Sequence, residues 1–289
     1  MITITQLHIF SKVVEIGSFT KTGFALNMTQ PAVSHAVSSL ESELDVALLI
    51  RDKSKGIILT DVGEKVLLQT RTIQNSLEII KQEVAAEKGI EKGIIRVGGF
   101  PDISARFLPK VIRAVQENYP NITIELFEGS IEDIYTWITS QQIDIGFTYS
   151  LYDDLDSIPL IEDRYMAVLP KGHQLLEKSL INLSNLAGEA LIVGRWGNPK
   201  AIEKLFTDKG LHYNQQYTIS NLTTMLGMIS EGLGLSILPE LAVRDTELWK
   251  YSRPIVTDYR RNIALTALSL KDASRATKLF IDIVKEKIK

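Results

Sequence analysis

Apolar residues recur at three- and four-residue steps from the start of the chain. Leu7, Phe10, Val13 and Val14 share one face, which predicts an amphipathic helix that Gly17 ends. Ser18 can cap a second, short helix, Phe19 to Leu26, and Asn27 and Met28 form the turn after it. Thr29 can cap a third helix. On it Val33, Ala36, Val37, Leu40 and Leu44 make an apolar stripe, while Pro31, Ser34, His35 and Ser38 make the opposite face. Two helices joined by a short turn, the second with a small polar outer face, form the arrangement that lays a recognition helix in the major groove of DNA. ALLIR (47–51) and GIILT (56–60) then flank DKSK, a hairpin with a basic tip that reads as a wing.

Thr60 and Asp61 can cap a long helix running to Glu87, about 40 Å at 1.5 Å per residue, before Gly89 ends it. Val66, Ile73, Leu77, Ile80 and Val84 keep a two-position seam over about three heptads, with Thr70 in one polar gap. A second copy of this helix is the expected partner. The alternative is a long helix packed against its own chain.

From residue 92 the pattern becomes alternating strands and helices, and it repeats. IIRVGG (94–99), a helix around Ser104 to Asn118 and ITIELFEG from 122 correspond to ALIVGR (190–195), a helix around Pro199 to Asp208 and YTISN from 217. Each half continues with a second helix (Ile131 to Ser140; Leu222 to Ser230) and a third strand (DIGFTYS; LSILPE), which is a doubled βαβαβ unit. A strand IALTALSL (263–270) and a final helix follow. If the chain returns to the first lobe there, two crossovers link the lobes and leave a cleft between them, an arrangement suited to clamping a ligand.

Open α/β sheets bind ligands at the loops leaving the carboxyl ends of their strands. Those loops carry Phe100, Pro101, Asp102 and Ser104, Gly129 and Ser130, Thr148 and Tyr149, Arg195 and Trp196, and Asn221. Ser104 and Ser130 fall where helices are expected to begin, so their hydroxyls and nearby N–H groups can hold a carboxylate, with Arg195 adding a charge-assisted bond. Asp102 and Glu128 oppose a pure anion and leave a zwitterion or polar neutral compound open. As plain alternatives, the two serines are simple N-caps, and Tyr149 and Trp196 are lobe packing.

Composition narrows the function. The 289 residues are 45% hydrophobic and 23% charged, an ordinary globular balance with room for two or three folded units. The formal net charge is −3, and residues 1–60 carry five basic and five acidic side chains, so any DNA contact must be local. Cysteine is absent, which removes disulfides, thiolate catalysis and zinc–cysteine sites. The four histidines lack metal or acid–base spacing. SFTKTG (18–23) holds S-x-x-K and K-T-G overlapping within one helix, where they cannot face each other across a site. GLGL (232–235) lacks the third glycine of a dinucleotide fingerprint and reads as a turn or close packing. No catalysis, cofactor or metal is expected. No export signal or long apolar run appears, so the expected location is the cytoplasm, away from membranes.

SFTKTGFALNMTQPAVSHAVSSLESEL followed by LLIRDKSKGIILTDVGE resembles the DNA-binding region of LysR-type transcriptional regulators. EGLGLSILPE, PKGHQL and LSNLAGEALIV resemble landmarks of that family's sensor domain. The likeness runs along essentially the whole chain. It implies an α/β protein with an N-terminal winged helix-turn-helix (1–60), a linker and dimerisation helix (61–89), and a two-lobed effector domain of the periplasmic-binding-protein type II kind. The first lobe would be 92–160 plus 266–289 and the second 161–265.

The resemblance places DNA contacts on Thr29, Gln30, Pro31, Ser34, His35 and Ser38, with Arg51, Lys53 and Lys55 of the wing near phosphates. The family commonly has arginine where this chain has His35, and glycine where it has Asp45. The implied partners are a partly palindromic double-stranded operator, a small-molecule effector, a second copy forming a homodimer or dimer of dimers, and RNA polymerase. The rival from another class is a two-lobed solute-binding protein or enzyme on the same fold.

Overall fold

The computed structural model describes residues 1–52, 56–149, 152–195 and 199–288. It divides into two compact units, Met1–Gly89 with Ser140–Gln142, and Ile90–Thr139 with Ile143–Lys289.

The first unit opens with α1 (Ile4–Ile16), α2 (Phe19–Leu26) and α3 (Gln30–Leu44). Ser18 and Thr29 cap α2 and α3 as the sequence predicts, accepting from the N–H groups of Lys21 and Ala32, and Thr3 caps α1 by accepting from Gln6 N–H. Gly17 ends α1 at φ 70°, where a side chain would be strained. Ile9, Phe10 and Val13 of α1 pack with Val33, Val37 and Leu40 of α3, and Leu48 closes the core. β1 (Leu49–Asp52) and β2 (Gly56–Leu59) pair antiparallel, Leu49 opposite Leu59 and Arg51 opposite Ile57. The wing tip, with Lys53 and Lys55, lies outside the described residues.

α4 (Asp61–Ala86) runs 26 residues from its Thr60 cap, whose hydroxyl oxygen accepts from Gly63 N–H at 2.9 Å. Ile73, Ile80 and Val84 of the expected seam are 40, 58 and 55% exposed. Leu67 and Thr70 are instead buried. No helix among the described residues is long and apolar enough to cross a membrane.

The second unit contains β3 (Lys92–Gly99), α5 (Pro101–Asn118), β4 (Asn121–Glu128), α6 (Ile131–Thr139), β5 (Ile145–Tyr149) and β6 (Asp156–Val168). There follow α7 (Leu183–Leu186), β7 (Ala190–Gly194), α8 (Pro199–Thr207), β8 (Asn214–Ile219), α9 (Leu222–Ser230) and β9 (Ser236–Pro239). The chain closes with α10 (Glu240–Val243), β10 (Ser252–Pro254), β11 (Arg260–Ala267) and α11 (Arg275–Lys287). β3 pairs parallel with β4 and β5, and β7 pairs parallel with β8, so both halves of the repeat form as the periodicity predicts.

Two lobes follow from two cores. One gathers Val97, Phe107, Ile134, Phe147, Leu265 and Phe280; the other holds Leu191, Phe206 and Leu235, with Met225, Ile229 and Leu238 beside them. β6 and β11, antiparallel neighbours, run between the lobes. Ile158 of β6 faces Leu265 in the first lobe, while Met166 pairs with Leu238 and Pro254 in the second. Because Ile263 and Leu265 already lie in the first lobe's core, the return crossing precedes residue 266. Gly234 allows a close approach in the second lobe: a Cβ there would stand 2.6 Å from the carbonyl oxygen of Ala190. The reading of GLGL as tight packing is thereby explained.

A helix face and an interlobe cleft as candidate functional sites

The first candidate is the outer face of α3. Its N-terminal residues Thr29, Gln30 and Pro31 are exposed, His35 and Ser38 follow one and two turns on, and Ser34 is half-buried between them. The opposite stripe holds this face outward: Val33, Val37 and Leu40 are fully buried, and Gln6 of α1 donates to Ser39 Oγ at 3.0 Å.

The neutral charge of residues 1–60 hides a separation. Glu41 Oε1 accepts from the N–H groups of Leu48 and Leu49 at 2.8 and 3.1 Å, and Glu15 is paired with Lys12 at 2.8 Å. Glu41 is thus bound within the fold, whereas Glu15, 55% exposed, is paired at the surface; the exposed α3 residues named above carry no carboxylate. Asp45 ends α3 in the left-handed conformation, φ 52°. That backbone requirement is a physical reason for glycine at such a position.

The second candidate is a cleft of about 410 Å³ between the lobes, within the usual range for small-ligand sites. Pro101, Asp102, Ala105 and Arg106 of α5 line one side; Ser220, Asn221, Leu222 and Thr223 line another, with Leu241, Ala242, Asp245 and Thr246. The N-terminus of α5 and that of α9, capped by Asn221 Oδ1 on Thr224 N–H at 3.1 Å, therefore both border it. Leu222 and Thr223 precede the first intrahelical bond of α9, from Met225 N–H to Asn221, so their N–H groups face no helical acceptor.

Beside the cleft lies a buried charge network. Arg261 of β11 donates to Asp102 Oδ2 at 2.8 Å, to Asp163 Oδ2 of β6 at 2.6 Å and to the Tyr149 hydroxyl at 3.4 Å. Its guanidinium also stacks against Phe100 and Tyr149. Burial disfavours the Arg261 charge, but Asp102, Tyr149 and Asp163 outweigh it and hold its pKa above the ordinary value. Burial raises the Asp163 carboxyl despite Arg261, and pushes the Tyr149 hydroxyl up to about 12. Asp102 thus shares the one Arg261 guanidinium with Asp163, and its Oδ1 has no hydrogen-bond partner among the described residues.

The loop residues expected around a ligand do not all converge: some line the cleft, some are interior, and Gly129, Ser130 and Arg195 lie in neither group. Pro101, Asp102 and Asn221 line the cleft. Phe100 and Tyr149 are buried, their rings edge-to-face at 5.3 Å. Thr148 is buried in a hydroxyl ladder, 2.6 Å from Thr266 Oγ1, which in turn lies 2.9 Å from Ser157. Ser104 corrects the expected helix start: α5 begins three residues earlier at Pro101, where the ring suits the first turn, so Ser104 is a buried helical residue and no cap. Its hydroxyl has no hydrogen-bond partner among the described residues.

Ser130 does start a helix, accepting from Asp133 N–H at 3.1 Å while its own N–H donates to Asp133 Oδ2. Gly129 beside it leaves space that Trp137 and Asp133 otherwise fill. Arg195 is exposed at the end of β7, its N–H on Ile219 O at 2.9 Å. Trp196 lies outside the described residues. Sequence reasoning missed Arg261 and Asp163, because neither follows a strand's carboxyl end and their partners are remote in sequence.

A winged helix-turn-helix in one unit and a two-lobed α/β domain with a cleft in the other define a class of DNA-binding regulator that carries a sensor-type domain. Residues 4–64 match the family model of the bacterial regulatory helix-turn-helix protein, lysR family, and residues 88–289 match the LysR substrate binding domain. The chain belongs to the LysR family of transcriptional regulators.

It is similar to the uncharacterized HTH-type transcriptional regulator YvbU of Bacillus subtilis, 41% identical over 98% of either chain. Among solved structures it resembles a point variant of full-length OxyR from Pseudomonas aeruginosa, with 21% identity, TM-score 0.77 and 99 and 98% of the two chains covered. It also resembles full-length CbnR complexed with its target DNA, with 22% identity, TM-score 0.65 and 99 and 100% covered. Its named relatives are regulators, not enzymes.

Proposed function

We propose that the chain is an effector-responsive regulator that works in the cytoplasm as a homodimer or dimer of dimers. The α4 seam pairs two copies, α3 enters the major groove of a partly palindromic operator, and a small molecule held between the lobes biases the assembly between two geometries. Thr29, Gln30, Pro31, Ser34, His35 and Ser38 face the bases and nearby backbone, while Arg51, Lys53 and Lys55 of the wing approach phosphates. His35 reads a base edge or phosphate with one or two donors, where an arginine would offer a bidentate fork. Contact with RNA polymerase follows if the regulator activates.

The observation that carries this reading is the exposed outer face of α3, whose Thr29, Gln30, Pro31, His35 and Ser38 carry no carboxylate and are held outward by the buried stripe of Val33, Val37 and Leu40. Selection of genomic fragments with the purified protein, followed by titration of the recovered site at two salt concentrations, tests it. A specific site with a steep salt dependence is expected. Ser34→Ala with His35→Ala should weaken that site by about 1–3 kcal/mol per lost base contact and leave assembly intact. Unchanged operator affinity removes both residues from the reading face.

A further inference from the structure

Two cavities lie along the seam between the lobes: the 410 Å³ cleft and a second of about 530 Å³. One ion pair lines both. Arg106 of α5, in the first lobe, donates through Nη1 to Oδ2 of Asp245, in the turn after α10 of the second lobe.

The partners are unequally buried, with 19% of the Arg106 side chain exposed against 74% of Asp245. A guanidinium largely removed from water suffers when its partner leaves, whereas an exposed carboxylate regains its hydration. Arg106 is therefore the fixed half of the pair and Asp245 the replaceable half. The pairing also uses a single guanidinium nitrogen, less than the two-point fork that arginine forms with a free carboxylate.

The surrounding charges favour an anion as the replacement. In the second cavity Lys110 adds a cation, Arg244 is paired with Glu240 at 2.9 Å, and Glu162 is paired with Arg260 at 3.5 Å. In the cleft Asp102 is held by Arg261, which it shares with Asp163, and the N-terminus of α9 presents backbone donors. With Asp245 swung outward, the acids left among these lining residues, Asp102 and Glu162, each keep an arginine contact.

We infer that Asp245 is an internal occupant of an anion subsite at Arg106, and that the effector is a small organic carboxylate that takes its place. This rests on the reading of the cleft as the effector site. The exchange breaks a bond between the lobes, so the ligand's preference for one lobe arrangement is supplied by the exchange itself.

Thermal-shift titration of the full-length protein tests this, using acetate as a minimal carboxylate probe, with acetamide and methylammonium as charge controls at constant ionic strength. Asp245→Asn should bind acetate about tenfold more tightly than the unaltered chain, with Asp245→Ala as a second variant. Arg106→Gln should show no saturable response, and the two controls should do nothing. Equal acetate affinity with and without Asp245, or an unchanged response after Arg106→Gln, overturns the inference.

A parallel screen of neutral, cationic and anionic compounds, repeated on Ala105→Trp to fill the cleft, separates the two readings. Neutral or cationic hits lost in Ala105→Trp overturn the carboxylate inference and leave the cleft reading standing. Acetate binding to Asp245→Asn that survives Ala105→Trp but is lost with Arg106→Gln places the anion on the second cavity's side of Arg106 and overturns the cleft reading alone; binding that survives both substitutions overturns both.

Discussion

Arg261 Nη1 donates to Asp102 Oδ2 at 2.8 Å, joining β11 to the first turn of α5 across 159 residues of chain, and both side chains are almost fully buried. Asp163 completes the network from β6, so both interlobe strands and a cleft-lining helix meet at one guanidinium. Replacing Arg261 with leucine leaves two buried carboxylates without their cation, and breaking a buried pair this way costs about 3–5 kcal/mol. Urea denaturation should show that loss. A change below about 1 kcal/mol would mean that the carboxylates protonate or find water, and that the network does not hold the lobes.

Glu41 performs a local task in the winged domain. Its carboxylate accepts from two adjacent backbone N–H groups where the chain leaves α3 and enters the wing, and Leu48 there is fully buried. Glu41→Ala should destabilise this domain by about 1–3 kcal/mol through an unsatisfied buried donor. Glu41→Gln, which retains a carbonyl oxygen, should recover part of the loss. Equal effects from both would assign the contribution to charge rather than hydrogen bonding.

The helix-turn-helix, the wing strands and the doubled βαβαβ unit are legible in the sequence because each has a period that burial follows closely. Val33, Val37 and Leu40 are buried where the stripe predicts, and β3, β4, β7 and β8 pair as the repeat predicts. β6 is not legible: its first half serves one lobe and its second half the other, so no single alternation runs through it. The cleft's charges are hidden for a related reason. Arg106 meets Asp245 139 residues away, and Arg261 meets Asp102 159 away, so pairing depends on how the lobes close. Ser104 misleads because a serine ahead of an apolar stripe resembles a cap, whereas Pro101 has already begun the helix.

Asp45 offers a stabilising substitution. It holds φ 52° at the end of α3, a conformation that costs a side chain of order 1 kcal/mol and glycine nothing. Glycine loses more entropy on folding, which offsets part of the gain. Asp45→Gly should stabilise the winged domain by about 0.5–1 kcal/mol in chemical denaturation. Destabilisation would show that the Asp45 side chain makes a compensating local contact.

Tyr149 gives the two-lobed domain a defined alkaline dependence. Burial holds its hydroxyl at about 12 in the folded chain, against an ordinary 10. Because the folded value is raised, the contribution is complete below pH 10, where the tyrosine is neutral in both states, and is lost as pH rises toward 12 and the unfolded state ionises first. The loss approaches about 3 kcal/mol across that window. Tyr149→Phe should remove this component, seen as a shallower fall in stability between pH 10 and 12. Parallel curves for the two chains would mean that the hydroxyl reaches water.

The proposed pairing of α4 with a second copy would rest on a small number of side chains. Ile73, Ile80 and Val84 stand exposed on a helix whose heptad spacing would face a second copy, while Thr70 is already buried. Burying an aliphatic side chain fully contributes about 1.5–3 kcal/mol, so three partly exposed ones on each of two helices supply a large share of a dimer's affinity. Ile73→Lys with Ile80→Lys places charges where that packing would occur, with little effect on a helix face that is exposed in the single chain. Sedimentation at micromolar concentration should show a smaller species than the unaltered chain forms, together with weaker binding to a two-half-site operator. An unchanged mass with intact operator binding would move the pairing surface elsewhere and leave α4 as a spacer.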